Sequence, residues 1–165
     1  MLLVDHDLRL VLLSLVLAAL TAATFLHIGR GLTHHDAAGR HRWKALAALV
    51  TGVGVWSMHF VALLAVQWPV PINFELWPTV LSVAPVMAAT WWSLRRMRQQ
   101  AEAGLPLRGK ALLQAGGVFG LGVGAMHYVG MAAIQLSPPL SYDPVTVALS
   151  VAVVVALGLL GLWLV

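Results

Sequence analysis

The sequence predicts an all-α fold: a polytopic transmembrane bundle of five helices, assembled from parallel hairpin repeats of 68 residues. Three observations predict it. Apolar residues make up 60% of the 165 and charged residues only 10%, where a water-soluble domain carries about a quarter charged. The apolar residues gather into runs of roughly twenty, the length at which a helix crosses a hydrocarbon core about 30 Å thick. In lipid the backbone must satisfy its own hydrogen bonds, which favours helices over open strands. Finally, the runs repeat.

Five runs are placed, at about 8–29, 44–67, 76–94, 110–136 and 144–165. The breaks between them carry Pro, Gly, Asn or charge: "RGLTHHDAAGRHR", "WPVPINFE", "RRMRQQAEAGLPLRG" and "SPPLSYDP". Pro78 falls in the first turn of its run and is easily tolerated, whereas Pro85 lies mid-run and should kink it. Most tryptophans sit near helix ends, as interfacial belt residues do; Trp56 lies deeper.

Orientation follows from charge. Arg30, Arg40, Arg42 and Lys44 flank the first loop, and Arg95, Arg96, Arg98, Arg108 and Lys110 flank the third. The second and fourth loops hold only Glu75 and Asp143. Basic residues collect on the cytoplasmic side, so loops 30–44 and 95–110 are expected in the cytoplasm and the N-terminus outside. The isoelectric point of about 10.4 is thereby a topology signal. Nucleic-acid binding, which would gather the charge on one folded face, is not expected. The first helix is too long for a cleavable signal peptide and lacks a small-residue cleavage site. Without cysteine there is no disulfide and no thiolate metal site.

The repeat needs no gap. His59 matches His127, Met58 matches Met126, Gly52 and Gly54 match Gly120 and Gly122, and Gln67 matches Gln135. Ser14, Ser82 and Ser150 fall in step, as do Asp7, Glu75 and Asp143. The chain reads as one membrane domain over 1–165, with repeat one at 7–74, repeat two at 75–142 and a partial third at 143–165. Each copy is a helix in, a basic loop, and a histidine-bearing helix out, so the copies are parallel and not inverted. A third histidine would fall near position 195, and the chain is expected to be part of a longer protein.

"GVGVWSMHFVALLA" (52–65) and "GVGAMHYVGMAA" (122–133) carry the chemistry. His59 lies fifteen residues from Lys44 and His127 seventeen from Lys110, so both are expected in the outer half of the bilayer at similar depth. An ionisable group there is costly unless paired, and is a functional hypothesis by default. Met131 lies four residues after His127, and Gly124, Gly120 and Gly116 precede it on the same stripe. Such small residues let a neighbouring helix approach closely. Met58 and Met126 point about 100° from their adjacent histidines, given about 3.6 residues per turn.

Thioether and imidazole donors suit copper, especially Cu(I), and suit Mg²⁺ or Ca²⁺ poorly. The candidate ligands are Met58, His59, Met126, His127 and Met131, with Gly52, Phe60, Gly120, Gly124 and Tyr128 lining the site. Haem held by the two histidines stays open as an alternative cofactor. Packing with an interhelical hydrogen bond is the plain structural alternative. A cluster of His34, His35, Asp36 and His41 in the first loop reads as a solvated loop before it reads as a metal site. No nucleophile–base set, phosphate loop or carboxylate pair occurs, so no enzyme is expected within these residues.

The two Met-His stretches on alternate helices of a repeated hairpin, with the opening "HDLRLVLLSLVLA", resemble the MHYT domain. The resemblance covers the whole chain. It implies a sensory module of the bacterial cytoplasmic membrane, fused to cytoplasmic cyclic-di-GMP enzymes or other output domains. It also implies copper at the motif residues and sensing of oxygen, carbon monoxide or nitric oxide. By position this falls on Met58, His59 and Phe60, and on Met126, His127, Tyr128 and Met131. The motif's threonine is Val61 and Val129 here, and its tyrosine is Phe60 in the first copy. The expected function is a membrane sensor. A copper or small-solute transporter or channel and a structural anchor are the alternatives. The expected partners are the bilayer and a downstream signalling domain, with homo-oligomerisation open.

Overall fold

A computed structural model of the chain describes residues 5–30, 37–68, 72–136 and 141–164. In chain order these form β1 (Asp5–His6), α1 (Leu8–Arg30), α2 (Ala37–Leu64), β2 (Val66–Gln67), β3 (Asn73–Phe74), α3 (Leu76–Leu81), α4 (Val83–Glu102), α5 (Gly109–Ala132), β4 (Ile134–Gln135) and α6 (Pro144–Trp163). The chain is an all-α bundle of five rods, the third made of α3 and α4 end to end. Among the described residues four helices are long and apolar enough to cross a membrane. The first-loop residues His34, His35 and Asp36 lie outside the described residues.

The third rod breaks at Ser82, between α3 and α4. Pro85 has no N–H to give the carbonyl of Leu81, four residues back, so the helical ladder is interrupted there. Ser82 makes good the gap locally: its N–H donates to Pro78 O (2.9 Å) and its Oγ to Thr79 O (2.7 Å). The Trp56 Nε1–H of α2 donates to the same Thr79 carbonyl (2.8 Å) and to Ser82 Oγ (3.0 Å). A tryptophan on one rod thus covers the break in another. Beyond its apolar stretch α4 runs on to Glu102, eight residues past the expected end at 94, because "RRMRQQAE" is made of good helix formers. Arg98 and Glu102 pair there at i,i+4.

The exits of α2 and α5 also differ from the expected runs, which continued to 67 and 136. Each helix ends earlier, and the chain enters a two-residue strand rich in β-branched residues. β1 pairs antiparallel with β2 (Asp5 opposite Gln67), and β3 with β4 (Asn73 opposite Gln135). These positions differ by 68, and so do many bonds around them. Asp7 N–H donates to Ala65 O and Glu75 N–H to Ala133 O, both at 2.8 Å. Ser14, Ser82 and Ser150 each donate a hydroxyl to the carbonyl three residues back.

The helices pack in the order α1, α2, α4, α5, α6, each along the next. At the end of the bundle nearer the basic residues, Phe25, Ile28, Ala47, Leu94, Met97, Ala115 and Leu162 form a core. Ser93 Oγ crosses from α4 to Ala115 O of α5 (2.8 Å), a buried polar link. At the opposite end, Phe60, Leu63 and Ile134 form a second cluster with Trp56, Trp68 and Phe74 against it. The outer surface is apolar: Leu8, Leu12, Leu15, Leu20, Leu149 and Leu157 are each about 60% exposed or more. An apolar surface of that extent belongs in lipid. A groove of about 450 Å³ opens between α1 and α6, floored by α2 and α5.

Asp143 caps α6. Its carboxylate accepts from Thr146 N–H and from Thr146 Oγ1, both at 2.8 Å. The backbone bond, with the hydroxyl second, holds this carboxyl below its ordinary 3.8. A depressed folded value means the cap contributes above the unfolded pKa and is lost as pH falls through the folded one. The Thr146 amide resonance is therefore expected to titrate below pH 3.8, and that titration should vanish in Asp143→Asn.

Candidate functional site

His59 lies five residues before the end of α2 at Leu64, and His127 five before the end of α5 at Ala132. Equivalent places on two hairpins bring them to one level, and the helix pairing turns them toward each other. Their Nδ1 atoms are 3.5 Å apart, with ring centroids at 4.9 Å and planes at 71°. His59 is buried, and among the described residues its Nε2 has no hydrogen-bond partner. An unpaired buried ring nitrogen is costly, so this polar atom calls for a reason.

Three neighbours shape the pocket. Phe60 sets its ring edge-on to His59 at 5.1 Å, and Trp56 backs Phe60 at 4.9 Å. Tyr128 stands at 5.0 Å from His127 and its hydroxyl bonds Ser150 Oγ of α6. Gly130 gives His59 its room: a Cβ there would stand 3.0 Å from His59 Nε2 and 3.2 Å from Phe60 Cζ. Sequence reasoning missed Gly130 as a site residue. The signal was its counterpart 68 residues earlier, Ala62, also small.

The sulfur atoms are distributed differently. Met131 packs against the Phe60–Leu63–Ile134 cluster, on the same helix face as His127. Met126 is 1% exposed, wholly inside the bundle. Met58 lines the groove between α1 and α6. The glycines pack helices: Gly52 against Met87 of α4, Gly120 against the backbone of Val154 and Val155 in α6, and Gly124 in ordinary contact with Val154. Among the described residues no three His, Cys, Asp or Glu side chains converge as a metal cluster. The pair therefore offers two imidazoles with soft or apolar surroundings.

Such a pair has definite chemical capacity. At 3.5 Å the Nδ1 separation is long beside the usual N–H hydrogen bond of about 3 Å. Two imidazole nitrogens bound to one metal, each at about 2 Å, stand at most about 4 Å apart. The observed separation lies within that limit.

A family model described as the bacterial signalling protein N-terminal repeat, MHYT, matches residues 52–108 and 120–165. The chain belongs to the MHYT family. The two matches begin at Gly52 and Gly120, again 68 residues apart. Over 164 residues this MHYT chain is 34% identical to the bifunctional diguanylate cyclase/cyclic di-GMP phosphodiesterase MucR of Pseudomonas aeruginosa, covering 99% of the chain and 23% of MucR. It is 33% identical over 150 residues to the cyclic di-GMP phosphodiesterase NbdA of the same organism, covering 88% of the chain and 18% of NbdA. The signaling protein YkoW of Bacillus subtilis is 26% identical over 159 residues, with 96% of the chain and 19% of YkoW covered. The MHYT chain thus spans less than a quarter of the length of these relatives. No solved structure matches it significantly.

Proposed function

We propose that this MHYT chain is the membrane input domain of a signalling protein and that His59 and His127 hold a Cu(I) ion through which a diatomic gas is sensed. The 3.5 Å Nδ1 separation carries the reading. Two neutral nitrogens suit Cu(I), which accepts few and soft ligands, and Met131, on the His127 face and packed with Phe60, would supply sulfur. Zinc takes at least three protein ligands, most often with thiolate or carboxylate among them, and among the described residues no third such group joins the pair. Haem would have to part helices whose rings are in edge-on contact. Bound copper would supply an open coordination position for O₂, CO or NO.

The chain's own residues would carry the response. A change in the pair moves α5, and Tyr128 ties α5 to Ser150 of α6. Trp56 ties α2 to the break in the third rod. Both links reach rods, α4 and α6, that continue from the histidine level to the basic end of the bundle, which faces the cytoplasm in this reading. There a cyclic-di-GMP enzyme, as the names of MucR and NbdA suggest, would receive the shift. The domain consists of repeats 7–74 and 75–142 and the start of a third at 143–165. A transporter would need donors along a path, whereas these two imidazoles share one level.

The test is Cu(I) titration of the purified chain in detergent, under reductant, against a chromogenic Cu(I) chelator. Retention of copper by the chain, with an infrared band of copper-bound carbonyl on adding CO, is the expected result. A chain that keeps no copper against the chelator overturns the proposal. Copper accumulation inside proteoliposomes would turn it into the transport reading.

A further inference from the structure

A second cavity, of about 400 Å³, lies at the other end of the bundle, on the outer face where α4 meets α5. Its lining is Trp92, Arg95, Arg96, Gln99 and Gln114. It shares no residue with the histidine pair or with the cyclic-di-GMP reading.

Its polar groups are donors without a counter-charge. Arg96 Nε donates to Gln114 Oε1 (3.0 Å) and its Nη1 to Gln99 Oε1 (3.3 Å). These neutral acceptors fix the guanidinium and leave its charge. Because both glutamines turn their oxygens to Arg96, their amide NH₂ groups stay available as donors. Arg95 adds a second guanidinium from the same cavity. Among the described residues no carboxylate lines it, and the nearby Glu102 is engaged by Arg98. Two guanidiniums and two amides around one space select an anion.

Placement selects the kind of anion. Arg95 and Arg96 stand where the apolar part of the third rod ends, at headgroup depth in a bilayer. Trp92, 40% exposed, marks the same interface. From the mouth of the cavity an exposed apolar track runs along α5 past Leu113 to Leu121, both more than half exposed. Between them Gly117 faces open space, leaving a shallow trough. A polar cavity of this volume with a trough leading into the apolar belt matches a headgroup and its acyl chain better than a bare ion. Basic pockets between transmembrane helices are known to hold anionic headgroups.

We infer that the Trp92–Arg95–Arg96–Gln114 cavity binds the phosphodiester headgroup of an anionic phospholipid, with an acyl chain along Leu113–Gly117–Leu121. The test is native mass spectrometry of the chain released from nanodiscs of equal phosphatidylglycerol and phosphatidylcholine. Phosphatidylglycerol adducts are expected to dominate. In R95Q/R96Q that preference should fall by about tenfold or more, since each interfacial arginine contributes on the order of a kilocalorie. R42Q/R108Q removes the same charge away from the cavity, leaves the Arg98–Glu102 pair in place, and should keep the preference. Gln114→Leu, which frees Arg96 without removing charge, should weaken it partially and guards against misfolding of the double variant. Equal retention of the two lipids, or equal loss in both double variants, overturns the inference. Displacement of the lipid by millimolar inorganic phosphate would make this a bare-anion site and overturn the lipid assignment.

Discussion

His59→Ala, His127→Ala and the double variant are each expected to lose Cu(I) affinity by more than about a hundredfold, the upper end of what loss of an outer-shell partner alone costs. The three losses should be nearly equal. The pair acts as a unit: among the described residues no third His, Cys, Asp or Glu joins it as a metal cluster, so with either imidazole gone the other has lost its partner ligand. Independent sites would instead give two half-losses that add. Packing makes the opposite prediction for stability. Removing His59 also removes a buried ring whose Nε2 is unpaired, so thermal stability without metal should fall little, or rise with a well-fitting apolar replacement such as Leu. Affinity and stability therefore separate in opposite directions. A purely structural histidine pair would lose stability with no effect on copper. Gly130→Ala is the companion: a Cβ 3.0 Å from His59 Nε2 should shift that ring and weaken copper while both imidazoles remain.

Much of this was legible from residue spacing, and the limits have physical causes. Five runs and the 68-residue offset follow from apolar content and register, both linear properties of the chain. The same offset placed His59 and His127 at one depth. It could not say whether they face each other, because depth fixes height along a helix and leaves rotation to neighbour packing. The methionines show the consequence. One lines the α1–α6 groove, one is sealed inside the bundle, and Met131 packs with Phe60. Adjacency in the motif does not survive the 100° turn between successive helical residues. The short strand pairs, too, were hidden: two residues show no alternation, and their pairing is set by where α2 and α5 end. The break in the third rod had a visible cause in Pro85, but its position at Ser82 depends on a carbonyl four residues upstream and on Trp56 reaching it from another helix.

Gly120→Leu is expected to uncouple sensing from output while sparing the ligand pair. A Cβ at Gly120 would lie 2.6 Å from Val155 Cα and 2.7 Å from Val154 O. At Gly158, across the same interface, it would lie 2.7 Å from Gly116 O. These obstacles are backbone, so no rotamer change relieves them, and α6 must move off α5. Even Gly120→Ala should cost about 1–3 kcal/mol, the range for overpacking, and leucine more. Gly124 is the internal control. Its Cβ would meet only Val154 Cγ1 at 3.5 Å, so Gly124→Ala should be neutral or gain up to about 1 kcal/mol of helix propensity. Thermal unfolding in detergent ranks the three. The histidines sit on α2 and α5, whose contact does not run through α6, so Gly120→Leu should keep copper. It should lose the Tyr128–Ser150 link, and with it the gas-dependent change in a reporter output domain fused after α6. A Gly120→Leu chain that still signals would show that α6 carries nothing, and would move the transmission route to Trp56 and the broken third rod.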